Sequence, residues 1–172
     1  MDADVERAAL EASLAGRDYE LFACDPALAD TAAFCAAYGF ALEDSANTIL
    51  VIGKSNPAVF AACVVLATHR LDVNRSVREQ LGTRKASFAP ADETRAITGH
   101  EIGGVTVFGL PADLRIFVDV AVMGRSRIVL GGGSRSWKVI AAPSILLTLP
   151  NVAVIDGLAN PAPPRDPSAE SG

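Results

Sequence analysis

Asn47-Thr48-Ile49-Leu50-Val51-Ile52-Gly53, Lys54-Ser55-Asn56-Pro57 and Ala58-Val59-Phe60-Ala61-Ala62-Cys63-Val64-Val65-Leu66-Ala67 follow one another in the chain, and their reading decides the fold. Thr48 to Gly53 and Ala58 to Ala67 are β-rich runs, and the four residues between them carry turn chemistry. The pattern predicts an antiparallel pair near the centre of a sheet. Ala58 to Ala67 is also the longest apolar run and is too short to cross a bilayer.

Working outward, Val5 to Leu14 has apolar residues at helical spacing and stops before Gly16. Tyr19 to Cys24 reads as a short strand. Asp25-Pro26 offers an N-cap followed by proline at the first helical position, which predicts one helix from Pro26 to Tyr38, closed by Gly39. Beyond the central pair, Asp72 caps an expected helix from Val73 to Leu81, and Pro90 to Ile97 is another. Ile116 to Val122, Arg127 to Leu130 and Val152 to Ile155 are strand candidates, with a late helix from Pro143 to Leu149. Strands outnumber helices and follow no regular alternation, so a single α+β domain with a mixed sheet is expected over residues 1–158. Residues 159–172 (Pro, Ala, Ser, Gly and mixed charges) show no core-forming pattern and are read as a disordered tail.

The chain has 172 residues, half of them apolar and a fifth charged, enough to build one hydrophobic core. That composition excludes a disordered chain, a collagen-like repeat and a disulfide scaffold. Three cysteines, Cys24, Cys35 and Cys63, lie far apart with no CxxC pair, and read as reduced, intracellular thiols. The N-terminus, Met1-Asp-Ala-Asp-Val-Glu, is acidic where a secretion signal would be basic. A soluble, cytoplasmic protein with no membrane partner is expected. Net charge is −5 and argues against indiscriminate nucleic-acid binding, so DNA is not an expected partner. The charge is uneven: residues 1–45 carry a net −8 and residues 46–172 a net +3, which leaves room for a phosphate-bearing partner on the later part of the chain.

Familiar catalytic motifs fail on spacing. Gly53-Lys54-Ser55 ends like a phosphate loop, but Thr48 stands where that loop needs glycine. Gly131-Gly132-Gly133-Ser134 is not a dinucleotide fingerprint. His69 and His100 are the only histidines and have no metal-ligand spacing, so neither a metal nor another cofactor is expected. Cys35 and Cys63 sit among apolar residues as core thiols, while Cys24, at a strand end, leaves core and cleft both open. Two glycine clusters stand out, Thr98-Gly99-His100-Glu101-Ile102-Gly103-Gly104-Val105 and Gly131 to Ser136. They are either tight turns or the walls of a pocket built from backbone amides and carbonyls. Arg125, Arg127, Arg135 and Lys138 flank them and would suit a small polar substrate bearing phosphate.

At these residues the sequence resembles the YbaK/ProX family of aminoacyl-tRNA editing proteins, relatives of an editing domain of bacterial prolyl-tRNA synthetases. The resemblance runs from about Tyr19 to about Leu158. It is carried by Asn47-Thr48-Ile49-Leu50-Val51, Leu71-Asp72, Leu81-Gly82, Thr98-Gly99, Gly103-Gly104-Val105-Thr106, Gly109, Val118-Asp119 and Gly131-Gly132-Gly133 in that order. It implies a mixed, barrel-like sheet and hydrolysis of the ester joining a wrong amino acid to the 3′ end of a tRNA, with neither metal nor covalent nucleophile. The implied partners are the aminoacyl-tRNA 3′ end and, alongside it, prolyl-tRNA synthetase.

Carried over by residue, Gly103, Gly104 and Thr106 form the loop facing the ester, and Asn47 orients the ester or terminal ribose. Gly131, Gly132 and Gly133 shape the opposite wall with Ser134 as a donor. Cys24 and Arg135 border the substrate, and Asp119 either orders the site or satisfies backbone amides. Two positions depart from the family. Asn47 stands where many members have lysine, and Val107 where the loop has proline. Asparagine can hydrogen-bond a carbonyl but supplies no cation. Two other functions therefore stay open beside the deacylase: a binding-only descendant, and a hydrolase of some small ester unrelated to tRNA.

Overall fold

The computed structural model describes residues 2–163. The expected central pair is present. β2 (Ala46–Gly53) and β3 (Val59–Leu66) run antiparallel, in register from Ala46 opposite Leu66 to Gly53 opposite Val59. They sit inside a five-stranded mixed sheet ordered β5-β2-β3-β6-β9. Its other members are β5 (Ala86–Phe88), antiparallel to β2, then β6 (Arg115–Asp119) and β9 (Val152–Ile155), which join in parallel. Both faces of β3 are covered. Ala62, Val64 and Leu66 pack with Leu50, Ile116, Val118, Leu130 and Val139, while Ala61, Cys63 and Val65 pack with Val51, Val77, Phe117 and Leu158. A two-residue pleat with apolar contacts on each side is why this strand reads as one unbroken apolar run.

A second sheet has the order β1-β8-β7, built from β1 (Glu20–Ala23), β8 (Trp137–Ala141) and β7 (Ile128–Gly131). One isolated bridge, Ser45 to Val129, connects it to the start of β2. The α+β architecture with a mixed sheet holds, but no closed barrel forms among the described residues. A third pairing joins β4 (His69–Leu71) to β10 (Ala159–Pro161). Residues 159–161, read from sequence as the start of a tail, are therefore strand. Their anchors are remote: the Asp119 carboxylate accepts from Ala159 N at 3.1 Å, and Leu158 O accepts from Asp72 N at 2.9 Å. Residues 164–172 of that tail lie outside the described residues.

The helices follow their caps. α1 (Ala3–Ser13) starts at Asp2, whose carboxylate accepts from Asp4 N, and α4 (Ala91–Thr98) stops at Gly99. α3 (Arg78–Leu81) continues a wide π turn over Val73–Val77 that begins at Asp72. Pro143–Thr148 winds as a 3₁₀ helix. Two expectations are corrected. The helix predicted from Pro26 is a single 3₁₀ turn, Pro26–Leu28, and α2 begins only at Thr31 and runs to Tyr38. Lys138 Nζ donates to Ala29 O at 2.7 Å, and Asp30 takes the extended N-cap conformation, so the turn does not run on into α2. The strand predicted through Val122 ends at Asp119, which caps α5 (Val120–Met123) by accepting from Ala121 N.

Candidate functional site

The two glycine clusters meet. Gly133 N donates to Gly104 O at 2.6 Å, and Glu101 N donates to Gly133 O at 3.0 Å. The segments approach so closely that a Cβ on Gly104 would lie 2.1 Å from Ser134 O, and one on Gly131 would lie 2.3 Å from Val105 O. Glycine is demanded here because backbone packs on backbone.

In front of this crossing lies a pocket of about 300 Å³. β5 pairs with β2 at residues 51–53 and Ala89 N donates to Leu50 O at 2.9 Å, so among the described residues the stretch from Asn47 to Ile49 has no strand paired on that side, and it forms one wall. Thr31 at the start of α2, Gly103, Gly131 and Lys138 supply the others. Thr31 Oγ1 donates to Asn47 Oδ1 at 2.8 Å, which leaves the Asn47 amide N–H groups as donors. Thr48 Oγ1 is buried without a partner among the described residues. Lys138 is only 6% exposed, and its Nζ donates to Ala29 O at 2.7 Å and Gly103 O at 3.1 Å. Burial pushes its pKa below the usual lysine value. A narrow recess of about 20 Å³ continues inward between Thr31, Asn47, Gly131 and Lys138.

The residues singled out from sequence divide among several places. Asn47, Gly103 and Gly131 share the pocket, and Gly104 lies at the loop crossing. Thr106, Gly132, Gly133 and Ser134 instead line a separate cavity of about 260 Å³ behind the loops, together with Glu6 and His100. There His100 Nδ1 accepts from Thr106 N at 3.4 Å, and burial pushes the histidine pKa down. Arg135 lines neither cavity. It pairs with Asp30 at 3.1 Å and donates to Pro26 O and Ile102 O, bracing the loops from outside. Cys24 is buried beside Ala29, Phe34 and Ile140, and burial raises its pKa. Cys63 is pushed up to about 12 by burial, and Cys35 lies against Ser45. Asp119 is 1% exposed and accepts from two backbone amides, Ala121 N and Ala159 N.

Sequence reading ranked Lys138 only among flanking cations and passed over Thr31. A signal existed for the lysine: it is the one charged residue in the strand Trp137–Ala141. Nothing local marks Thr31. A larger groove of about 910 Å³ runs beside β4 and β5, lined by Arg70, Asp72, Phe88 and Asn160 among others. It lies away from the glycine loops, so the smaller polar pocket is the better candidate. Among the described residues no three His, Cys, Asp or Glu side chains cluster as metal ligands, and no helix is long and apolar enough to cross a membrane.

Fold and site together define a single-domain α+β protein whose pocket is walled by an open strand edge and crossed glycine loops. The aminoacyl-tRNA editing domain matches residues 25–148, so the chain belongs to that family, whose members' activity at family level is aminoacyl-tRNA deacylation. The uncharacterised protein YwhH of Bacillus subtilis (strain 168) is 28% identical over 108 residues, a match spanning 63% of this chain and 66% of that relative. Among solved structures, a proposed trans-editing enzyme for prolyl-tRNA synthetase superposes with a TM-score of 0.78 at 19% identity, covering 94% of this chain and 99% of that one. The hypothetical protein APE2540 gives a TM-score of 0.76 at 23% identity over 90% and 98% of the two chains. At such identities the likeness speaks for the fold.

Proposed function

We propose that this protein is a trans-acting deacylase that hydrolyses the ester of a mischarged tRNA, a proline tRNA bearing a small wrong amino acid. The observation that carries this reading is the 300 Å³ pocket, lined by Asn47, Lys138 and the backbone of Gly103 and Gly131. Among the described residues no histidine or cysteine lines it, and the one carboxylate that does, Asp30, is paired with Arg135. An aminoacyl ester is already activated. Holding it against fixed donors, with water or the substrate's own ribose hydroxyl alongside, lowers the barrier without a covalent nucleophile. Discrimination among side chains by size and polarity, where a synthetase cannot supply it, is the logic of editing.

The test is a deacylation assay with proline tRNA charged with alanine, cysteine, serine, threonine or 2-aminobutyrate, and Pro-tRNA as control. Hydrolysis of one small ester with Pro-tRNA spared is expected. A folded protein inert across the panel would sink the reading. Asn47, with no cation on that strand, favours one rival: a descendant that binds tRNA ends without cleaving them, for which binding would persist in the inert protein.

A further inference from the structure

We propose that Lys138 binds the acyl oxygen of the ester and stabilises the charge that develops there, an assignment that rests on the deacylase reading above. Lys138 sits in mid-strand on β8, almost fully buried, and forms no ion pair among the described residues. The charged and titratable groups around it are Asp30, which is engaged by Arg135, Arg135 itself, and the thiols of Cys24 and Cys35. Its compensation comes from the carbonyls of Ala29 and Gly103 and from the ring of Phe34, whose centroid lies 5.4 Å from Nζ. A buried ammonium with no carboxylate opposite is costly, and an apolar side chain of similar length would fill the same space at lower cost. Stability alone does not account for a lysine here.

Geometry shows what the charge can do. Two of the three ammonium donors are committed, to Ala29 at the entry of α2 and to Gly103 in the glycine loop, which fixes the direction of the third. That third donor has no partner among the described residues, and Lys138 lines both the pocket and the recess it shares with Asn47 and Thr31. The recess, about 20 Å³, has room for a single oxygen-sized group. During hydrolysis water adds to the acyl carbon and an electron pair moves onto the carbonyl oxygen. The pair returns as the bond to the ribose oxygen breaks, and that oxygen takes the proton the water gives up. An ammonium held beside the recess is most effective while the oxygen carries that charge. The role belongs to Lys138 because Asn47 offers only neutral donors.

The chain has three lysines, Lys54, Lys85 and Lys138, so ¹³Cε-lysine labelling gives a readable spectrum of the full protein. The probes are stable 3′-amide analogues of aminoacyl-adenosine carrying alanine, serine or cysteine. The bound probe is expected to move the Lys138 signal and leave those of Lys54 and Lys85 in place. K138M is expected to lose at least tenfold in deacylation, mainly in kcat, and to lack the alkaline fall in rate that the wild type shows as Lys138 deprotonates. K138R should recover part of the rate and push that fall to higher pH. If probe binds while the Lys138 signal stays still, or K138M matches wild type in rate and pH profile, the assignment is overturned and the deacylase reading survives. If wild type neither binds a probe nor cleaves the panel, the deacylase reading fails and takes the assignment with it. Should K138M not fold by circular dichroism, the probe-induced shift and K138R decide.

Discussion

Asn47 is held by Thr31, so its amide donors face the pocket in one orientation rather than several. Asn47→Ala removes those donors and is expected to lower deacylation about 10- to 100-fold, the cost of one or two hydrogen bonds made in the transition state, with folding intact. Gly104 makes a different demand. In Gly104→Ala the new Cβ meets a backbone carbonyl rather than a movable side chain, so the loops must part and stability should fall by about 1–3 kcal/mol or more, read from urea unfolding. His100 is a pH-sensitive point. Its folded pKa lies below 6.5, so the unfolded chain binds the extra proton first, and stability is complete above pH 6.5 and lost as pH falls below it. His100→Gln should flatten that acid-side loss in a pH series of melting temperatures.

Elements are joined by a few buried polar groups. Asp119 ends β6, caps α5 and holds β10 through Ala159 N, so one carboxylate ties three elements together. Asp119→Ala strips a cap and leaves a buried amide unpaired, for an expected loss of about 2–4 kcal/mol by urea unfolding, and Ala159 should exchange its amide hydrogen faster. Lys138 has a comparable reach, linking β8 to the entry of α2 and to the glycine loop.

Across the whole molecule, charge is segregated, with net −8 over residues 1–45 and net +3 over the rest. If a tRNA is the partner, its phosphates meet the later part of the chain. Binding of a mischarged tRNA should then weaken steeply between 50 and 200 mM salt, at concentrations set by the counterion-release relation. Binding of the single-nucleoside amides should hardly change. Equal salt response for both would show that the phosphates contribute nothing.

Local signals determined a good part of this protein. The β2–β3 pair, the helical segments Ala3–Ser13, Val73–Leu81 and Ala91–Thr98 and the two glycine clusters were legible because strand and helix periodicity, caps and glycine each act over a few residues. What the tertiary structure alone decided is long in range. Asp119 ended the expected strand Ile116–Val122 midway, as a helix cap, and drew residues 159–161 into a sheet. The crossing of the glycine loops put Gly103 and Gly131 on one cavity and Thr106, Gly132, Gly133 and Ser134 on another, though they are near neighbours in sequence. Packing of β8 beneath α2 set Lys138 beside Asn47, from a different sheet and far along the chain. Burial and hydrogen bonds between distant segments fix those placements, and no window of the sequence contains both partners.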